Sequence, residues 1–226
     1  MSNAVPSPSD APEIAARSLL QVDAVTKAFR GGPPWHRRST EVLRGASLDV
    51  RAGELVGLVG ENGSGKSTLM QIVVGLLARD GGEVVLAGRL GYCPQQPLLW
   101  DKLTVDEHVE LFARAYDLGA DQAAGASETL ARELAFTRYR GYRVDELSGG
   151  TRQKLNLALA LLHEPSVLLL DEPYAGFDWE TYLRFWEMAE QRRAAGMGIL
   201  VVSHLLAERD RLTRIYELRG GRCEVL

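Results

Sequence analysis

The sequence has few cysteines, few lysines and no long apolar run. Cys93 and Cys223 are its only two cysteines; they lie far apart, and neither belongs to a C-x-x-C pair. A disulfide framework and a zinc site are therefore not expected, and the chain suits a reducing compartment. No apolar stretch approaches the roughly 18 residues that a membrane-spanning helix needs, and the N-terminus lacks a hydrophobic signal segment. If the protein acts at a membrane, we expect another chain to cross it.

The sequence also lacks an excess of basic residues. Its 26 Lys and Arg are outnumbered by 30 Asp and Glu, which gives a formal net charge of −4. Without a basic field we expect no nucleic-acid partner, although binding through a local patch stays open. The composition, 46% hydrophobic and 25% charged residues, is that of an ordinary globular protein. A chain of 226 residues is long enough for one α/β domain with a buried core.

A glycine-rich stretch fits the phosphate-binding pattern G-x-x-x-x-G-K-[ST]; it consists of Gly60-Glu61-Asn62-Gly63-Ser64-Gly65-Lys66-Ser67-Thr68. The apolar run at residues 54–59 favours a buried strand, and residues 69–75 can continue a helix that begins near Gly65. Glycines let backbone N–H groups turn toward phosphates, and the helix N-terminus adds the positive end of its dipole. We expect Lys66 to contact the β- and γ-phosphates and Ser67 to bind Mg²⁺. A glycine-rich connector in an unrelated α/β domain is the alternative interpretation.

Strand and helix patterns alternate after residues 1–17, whose Ser, Pro, Ala and Asp content predicts a disordered arm. Strands are predicted at residues 20–25, 40–50 with a break near Gly45, 54–59, 83–86, 167–172 and 199–204. Helices are predicted at residues 65–75, 104–118 behind a capping box of Thr104 and Glu107, 127–138, 147–163 and 179–195. Two prolines predict irregular backbone at residues 92–97, and glycine and proline predict a loop at residues 31–39.

This alternation indicates an α/β fold with a doubly wound parallel sheet, in which the helices between residues 104 and 138 form an insert. Ligands of such sheets gather at the carboxyl ends of the strands. Gly60, Asp171, Glu172 and His204 end or follow predicted strands. We therefore expect these four residues at the same edge of the sheet.

One further motif, Leu147-Ser148-Gly149-Gly150, lies just upstream of the strand that ends in Asp171 and Glu172. With it, the chain from about Leu19 to Leu226 resembles the nucleotide-binding subunit of ATP-binding cassette (ABC) transporters, whose signature other P-loop enzymes lack. The resemblance implies a P-loop NTPase parallel-sheet core with an N-terminal antiparallel β subdomain. It also implies that residues 18–226 form one ABC ATPase domain, with a helical subdomain inserted at about residues 97–163.

The resemblance assigns catalytic roles to the polar edge of the sheet. Phosphoryl transfer to water needs positive charge on the phosphates, a metal, and a base for the attacking water. Asp171 would hold Mg²⁺ through water and Glu172 would polarise the attacking water; adjacent strand residues face opposite ways, so their tasks should differ unless the strand has already ended. Gln95 resembles the glutamine that reaches Mg²⁺ and the water, with Gln96 as its rival. His204 resembles the histidine that contacts the γ-phosphate, although a lone histidine after a strand is commonly a capping or core residue.

The resemblance also implies a partner subunit. Two subunits of the family pack head to tail, so that Ser148, Gly149 and Gly150 of one subunit meet the γ-phosphate held by Lys66 of the other. Asp178 resembles a residue of the loop that crosses this interface. Phe177 replaces the small residue that usually precedes that aspartate, which is a departure from the family pattern.

The resemblance also implies an aromatic residue that stacks on adenine near the end of the first strand. Phe29 occupies the matching position, and a core position is its alternative. Trp35 in the loop at residues 31–39 is a rival. Its neighbours His36, Arg37 and Arg38 could equally meet phosphates or lipid headgroups.

These observations predict an ATP-binding and ATP-hydrolysing subunit with ATP and Mg²⁺ as cofactors. The implied partners are a second ABC subunit, in a homodimer, and transmembrane permease subunits on separate chains, which place the protein at the cytoplasmic face of the cell membrane as a peripheral subunit. A soluble ABC ATPase that acts on nucleic acid or the ribosome is the alternative, although the long coiled coil, zinc motifs or second cassette of such proteins are missing. The chain lacks the base-reading motif that a GTP switch protein would need. The intact Glu172 argues against a nucleotide sensor that does not hydrolyse its ligand.

An apolar run at residues 97–100 follows Gln95 and precedes the capped helix. Its position matches the groove in which the family receives a short helix of the membrane subunit, and buried aromatic and aliphatic residues anchor such contacts. We therefore expect Leu99 and Trp100 to line this groove. Burial in the core is the alternative.

Overall fold

The structure, a computed structural model, describes residues 18–31, 38–203 and 206–226. The predicted arm at residues 1–17, the residues Trp35, His36 and Arg37, and the predicted site residue His204 lie outside the described residues.

The described chain contains nine strands and five α-helices, numbered here in chain order. The strands are β1 (Ser18–Gly31), β2 (Arg38–Arg51), β3 (Leu55–Val59), β4 (Gly81–Leu86), β5 (Leu90–Cys93), β6 (Val167–Asp171), β7 (Gly198–Val202), β8 (Arg214–Arg219) and β9 (Arg222–Val225). The helices are α1 (Lys66–Val73), α2 (Val105–Ala115), α3 (Ala120–Glu133), α4 (Gly149–Leu161) and α5 (Trp179–Ala194).

Two sheets organise the fold. A three-stranded antiparallel sheet has the order β2-β1-β4, and a six-stranded sheet has the order β5-β6-β7-β3-β8-β9. All neighbours in the larger sheet are parallel except β9, which pairs antiparallel with β8. Strands β3, β6 and β7 are buried at every residue, as expected where both faces of a sheet are covered. The predicted fold class, an α/β fold with a parallel core and an antiparallel β subdomain, is confirmed.

The larger sheet separates two hydrophobic cores because successive side chains of a strand point to opposite faces. Leu168 and Leu170 of β6 face the helices α2 to α5. Val167 and Leu169 of the same strand face α1 and the antiparallel sheet. Burying both faces in this way fixes the strand register, since a slip by one residue would exchange the two sets of side chains.

Most predicted elements are confirmed. Thr104 and Glu107 form the predicted capping box at the start of α2. The predicted break near Gly45 is a register shift between the pairs Val25–Ala46 and Thr26–Arg44 of β1 and β2.

The prediction of irregular backbone for residues 92–97 is wrong at its start. Tyr92 and Cys93 are the last two residues of β5 and lie opposite Leu169 and Leu170 in the parallel register. A proline removes only its own N–H donor and restricts the preceding residue to extended conformations, which a strand provides. Irregular backbone therefore begins at Pro94.

The helix predicted at residues 127–138 instead runs from Ala120 to Glu133. Its N-cap is Gly119, without a side-chain hydrogen bond, so the usual polar start signal is missing. The alanines of its first two turns have high helix propensity and carry it without a cap. Ala135 has φ of 54°, and this left-handed residue keeps the helix from reaching residue 138.

A charged cluster joins the antiparallel sheet to the larger sheet. Arg214 of β8 donates from Nη1 to Asp49 Oδ1 at 2.8 Å and from Nη2 to Glu54 Oε2 at 2.7 Å. The hydroxyl of Tyr216 donates to Asp49 Oδ1 at 2.9 Å. Burial alone would raise the pKa of Asp49, but the hydrogen bonds from Arg214 and Tyr216 and the nearby positive charge hold it below its ordinary value.

We expect Asp49→Asn to lower the free energy of unfolding by about 1–3 kcal/mol at pH 7, because it removes a charged acceptor of four side-chain hydrogen bonds, two from Arg214 and one each from Arg51 and Tyr216. The folded-state pKa of Asp49 is lowered, so its contribution is fully present above the unfolded value of about 4 and is lost as the pH falls through the lower folded value. Urea unfolding at pH 7 and at about pH 3 measures this difference.

Asp23→Asn changes an exposed carboxylate on β1 and is the matched control, expected to alter the free energy of unfolding by less than about 0.5 kcal/mol. A loss for Asp49→Asn that is equally large at both pH values would contradict the charge-based explanation.

Candidate functional site

A cavity of about 420 Å³ opens at the carboxyl ends of β3, β5 and β6. The glycine-rich loop follows β3, Gln95 follows β5, and Asp171 ends β6. The lining residues are Val42, Asn62, Gly63, Gly65, Lys66, Ser67, Thr68, Gln95, Asp171 and Glu172. The structure thus brings predicted site residues from three separate parts of the sequence into one space.

Neighbouring strands hold the backbone of the glycine-rich loop closely. A Cβ atom on Gly60 would lie 2.6 Å from the carbonyl oxygen of Leu218 in β8, and one on Gly65 would lie 2.9 Å from Val42 Cγ1 in β2. Both glycines have positive φ, 152° and 108°. A side chain at Gly60 would have to displace backbone, and one at Gly65 would have to displace the side chain of Val42. The bends of the loop therefore depend on the antiparallel sheet and on the C-terminal hairpin.

Lys66 is buried at the start of α1, with 6% of its surface exposed. Its Nζ donates to the carbonyl oxygens of Gly60 at 2.7 Å and Glu61 at 2.9 Å. These carbonyls take two of the three N–H donors of the ammonium group. Burial lowers the pKa of Lys66, while the nearby Glu172 and Asp171 carboxylates act in the opposite direction by favouring its charged form. The side chain is thus a buried cation that faces the cavity.

Asp171 and Glu172 line the same cavity although they are adjacent in sequence. The strand ends at Asp171, and Glu172 has φ of 49° while its N–H donates to the carbonyl oxygen of Val202 at 3.1 Å. A residue other than glycine with such a φ is uncommon, and such residues cluster at functional sites. This turn removes the alternation of a strand, so the two carboxylates can serve one ligand. Asp171 is buried, whereas Glu172 is half-buried.

Gln95 contacts Glu172 directly. Its Nε2 donates to Glu172 Oε2 at 2.8 Å, between residues 77 positions apart. Gln95 lines the cavity, and its predicted rival Gln96 does not.

The signature residues lie elsewhere. Ser148, Gly149 and Gly150 are not among the residues that line the cavity around Lys66. Ser148 caps α4 by accepting the N–H of Thr151 at 3.3 Å. A Cβ on Gly149 would meet no atom within 4 Å, whereas one on Gly150 would lie 2.5 Å from the carbonyl oxygen of Gly176. Among the described residues, the start of α4 is therefore packed against Gly176 on one side and open on the other.

Asp178 lies at the start of α5, close to this packed side. Its carboxylate accepts the N–H of Thr181 at 2.8 Å, and this hydrogen bond lowers the pKa of Asp178. Phe177, the departure from the family pattern, packs against Phe185 with ring centroids 6.5 Å apart. The next residue, Trp179, is 72% exposed.

Phe29 lies near the end of β1, opposite Thr40 of β2. Its side chain is 44% exposed, which rules out the core position that was its alternative. Lys27 Nζ lies 5.7 Å from the ring centroid. Phe29 does not line the cavity around Lys66.

Sequence reasoning missed Tyr174. Its hydroxyl donates to Ser203 Oγ at 2.6 Å, directly before the predicted site residue His204. The only signal was the position of a tyrosine two residues after the acidic pair. Through this hydrogen bond, Tyr174 connects the turn after β6 to the end of β7.

The donor set of the cavity fits a phosphate with a divalent cation better than a cation alone. Among residues 18–31, 38–203 and 206–226, no group of three or more His, Cys, Asp or Glu side chains could hold a metal ion. Ser67, Gln95 and Asp171 offer oxygen ligands, but Mg²⁺ typically completes its shell with phosphate oxygens and water. Ser64 Oγ is buried without a hydrogen-bond partner within the described structure, as expected in a loop that binds an anion.

No helix in the described part of the chain is both long enough and apolar enough to span a bilayer.

Comparison with known proteins gives consistent matches. A family model described as ABC transporter matches residues 43–175. The chain is 39% identical over 196 residues to the ABC-type organic anion transporter ABCA8B of Mus musculus, covering 82% of this chain and 12% of that protein. It is 34% identical over 194 residues to the Nod factor export ATP-binding protein I of Burkholderia lata, covering 80% of this chain and 64% of that protein. The chain thus spans only a small part of the first of these relatives.

Among solved structures, the fold is similar to a dimeric ATP-binding cassette in a post-hydrolysis state bound to ADP and Pi. The TM-score is 0.81 at 25% sequence identity, and the alignment covers 91% of this chain and 96% of that chain. The match spans both the antiparallel sheet and the parallel core. From the family model, the relatives and the fold together, the chain belongs to the ABC transporter family and is an ATP-binding cassette, the ATPase domain of these transporters.

Proposed function

We propose that the chain binds ATP with Mg²⁺ in the cavity around Lys66 and that Glu172 activates the water that attacks the γ-phosphate. The convergence of Lys66, Gln95 and Glu172 in one cavity carries this proposal. Residues 18–226 would form one ABC ATPase domain, with the helical subdomain inserted at about residues 97–163.

The glycine-rich loop binds the phosphates in this proposal. Backbone N–H groups and the N-terminus of α1 face the anion, and Lys66 neutralises charge on the β- and γ-phosphates. The loop residues with this role are Gly60, Asn62, Gly63, Ser64, Gly65, Ser67 and Thr68. Phe29, exposed at the end of β1, offers its ring to the adenine.

Ser67, Gln95 and Asp171 would hold Mg²⁺, which would neutralise the negative charge that develops on the phosphates. Glu172 accepts a proton from the attacking water, because a carboxylate oxygen beside the γ-phosphate is a suitable general base. Gln95 orients Glu172 through their hydrogen bond of 2.8 Å. His204 would contact the γ-phosphate, and its place in the sequence directly after Ser203 supports this role.

The active form in our proposal is a head-to-tail homodimer. Ser148, Gly149 and Gly150 lie outside the cavity, and the open side of Gly149 leaves space for a phosphate held by the other subunit. The similar solved cassette is dimeric. Asp178 and the exposed Trp179 would lie at the interface between the subunits.

We further propose that the dimer works as a peripheral subunit at the cytoplasmic face of the membrane, on transmembrane permease subunits that are separate chains. The matched relatives are named as a transporter and an export ATP-binding protein. A soluble ABC ATPase that acts on nucleic acid or the ribosome is the second candidate, and the net charge of −4 disfavours it.

An apolar groove of about 310 Å³ is the proposed docking surface for the permease. Leu98, Leu99 and Phe112 line it together with two residues that follow α1, Val74 and Leu76, and with residues of β5 and α4. Trp100 is 54% exposed and is therefore not a core residue. Leu99 is half-buried and packs against the core as well as lining the groove. Trp100 does not line the groove but packs beside it, with its ring 6.5 Å from that of Phe112.

We expect Lys66→Ala to weaken ATP binding by about 10- to 100-fold, because it removes a charge-assisted contact to the phosphates. Isothermal titration with ATP and Mg²⁺ measures the affinity. Lys102→Ala, a change at an exposed lysine of the helical insert, is the control and should leave the affinity unchanged. An unaltered affinity in a folded Lys66→Ala variant would refute the assignment of the phosphate site.

We expect Glu172→Gln to keep ATP affinity within about threefold while the rate of hydrolysis falls by about 10²- to 10⁴-fold, since an amide cannot accept the proton of the attacking water. Phosphate release in single-turnover experiments measures the rate. Glu128→Gln, at an exposed position of α3, should hydrolyse ATP normally.

The same Glu172→Gln variant should elute from gel filtration as a dimer when ATP is present and as a monomer without it, because trapped ATP holds the two subunits together. If it remains a monomer with ATP at high protein concentration, the head-to-tail arrangement is wrong.

Replacing Leu99 and Trp100 by Ala should leave the isolated chain folded, with ATPase activity within about twofold of wild type. Its recovery with the membrane fraction of the cell should fall by about tenfold, since the groove loses Leu99 from its lining and Trp100 from beside it. Replacing the exposed Leu111 and Tyr142 by Ala changes a similar amount of apolar surface outside the groove and should not affect recovery. Unaltered membrane association of the first variant would place the docking surface elsewhere.

A further inference from the structure

Two carboxamide side chains interrupt the apolar face of α4. Gln153 and Asn156 are 3% and 7% exposed, while the other buried positions between Leu155 and Leu161 are leucine or alanine. A buried amide costs free energy unless its hydrogen bonds are made, and an apolar residue of the same shape would be cheaper. A buried polar residue among apolar ones therefore indicates a requirement other than stability, such as a role in function.

Asn156 makes a hydrogen bond to the loop after β5. Its Nδ2 donates to the carbonyl oxygen of Pro94 at 2.8 Å and lies 3.2 Å from the sulfur of Cys93. Gln153 lies one turn earlier on the same face, and its Nε2 is 3.8 Å from Cys93 Sγ. Asn156 therefore reaches the backbone of the loop, whereas Gln153 contacts Cys93 and Asn156.

The carbonyl group of Pro94 belongs to the same rigid peptide plane as the N–H of Gln95. The proline ring already fixes φ at residue 94. A hydrogen bond to the carbonyl oxygen then fixes the direction of the peptide plane, and with it the position of the Gln95 Cα atom. From that position, Gln95 donates to Glu172 Oε2 at 2.8 Å.

We propose that Asn156 is a positioning residue of the ATPase site, which holds the Pro94–Gln95 peptide so that the Gln95 side chain meets Glu172. The inference rests on the proposed function of Gln95 and Glu172. Because Asn156 lies on the helix that begins at the signature residues, it also connects that helix to the carboxylate that activates water.

Asn156→Leu tests this role, since leucine has nearly the shape of asparagine and lacks the donor. We expect kcat for ATP hydrolysis to fall by about tenfold or more while KM for ATP changes by less than about twofold, as for a residue that acts in the chemical step and not in binding. Asn156→Ala, which removes the same donor and adds no new contact, is the second variant should leucine prevent folding. Gln153→Leu is the matched control and should keep kcat within about twofold.

A double-mutant cycle separates positioning from a merely structural effect. If Asn156 acts through Gln95, then Asn156→Leu should change kcat by less than about twofold in a Gln95→Ala background. Effects of the two substitutions that multiply would overturn the proposal.

The side-chain amide signal of Gln95 gives a readout without nucleotide. It can be identified in a ¹⁵N-labelled sample by its loss in Gln95→Ala. We expect Asn156→Leu to shift this signal and Gln153→Leu to leave it in place. A wild-type protein without ATPase activity would contradict the proposed function, whereas an unshifted Gln95 signal in folded Asn156→Leu would contradict the positioning role alone.

Discussion

A buried ammonium group facing two carboxylates is the constraint on which the rest of the site depends. Lys66 contributes one positive charge, and Asp171 and Glu172 contribute two negative charges to the same cavity. A phosphate alone would add further negative charge beside these carboxylates and be repelled. A phosphate that arrives with a divalent cation would add less negative charge, and the carboxylates offer oxygen ligands to that cation. The charges of the cavity therefore suit the metal–nucleotide complex that we propose better than the free nucleotide.

Strands from both sheets hold the glycine-rich loop around Lys66 in place. The glycine-rich loop can bend over Lys66 only because Gly60 lies against Leu218 and Gly65 lies against Val42, with no room for a side chain. These neighbours belong to β8 and β2, one from each sheet. The cluster of Asp49 and Arg214 joins the same two strands. The two strands that the Asp49–Arg214 cluster joins are therefore the same strands that hold the glycine-rich loop in its conformation.

Local signals in the sequence predicted the elements around the loop, and longer-range contacts account for what was missed. The loop and the capping box at Thr104 each depend on residues within a few positions of one another, so their patterns are visible in the sequence. By contrast, Tyr92 belongs to β5 only because it pairs with β6, which lies far along the chain. No pattern predicted β8 and β9, whose backbone supports the loop from outside. The contact of Gln95 with Glu172 likewise spans 77 positions, and only the fold reveals it.

The adjacent glycines of the signature are subject to different constraints. Packing within the chain requires a glycine at position 150, because the carbonyl oxygen of Gly176 occupies the space that a Cβ atom of Gly150 would fill. Gly149 meets no such neighbour, so packing within the chain does not require a glycine there. The head-to-tail dimer that we propose would supply a constraint from outside the chain, namely close approach of a phosphate bound to the second subunit. On this argument Gly150 ties the signature to the loop that carries Asp178, while Gly149 suits the head-to-tail dimer that we propose.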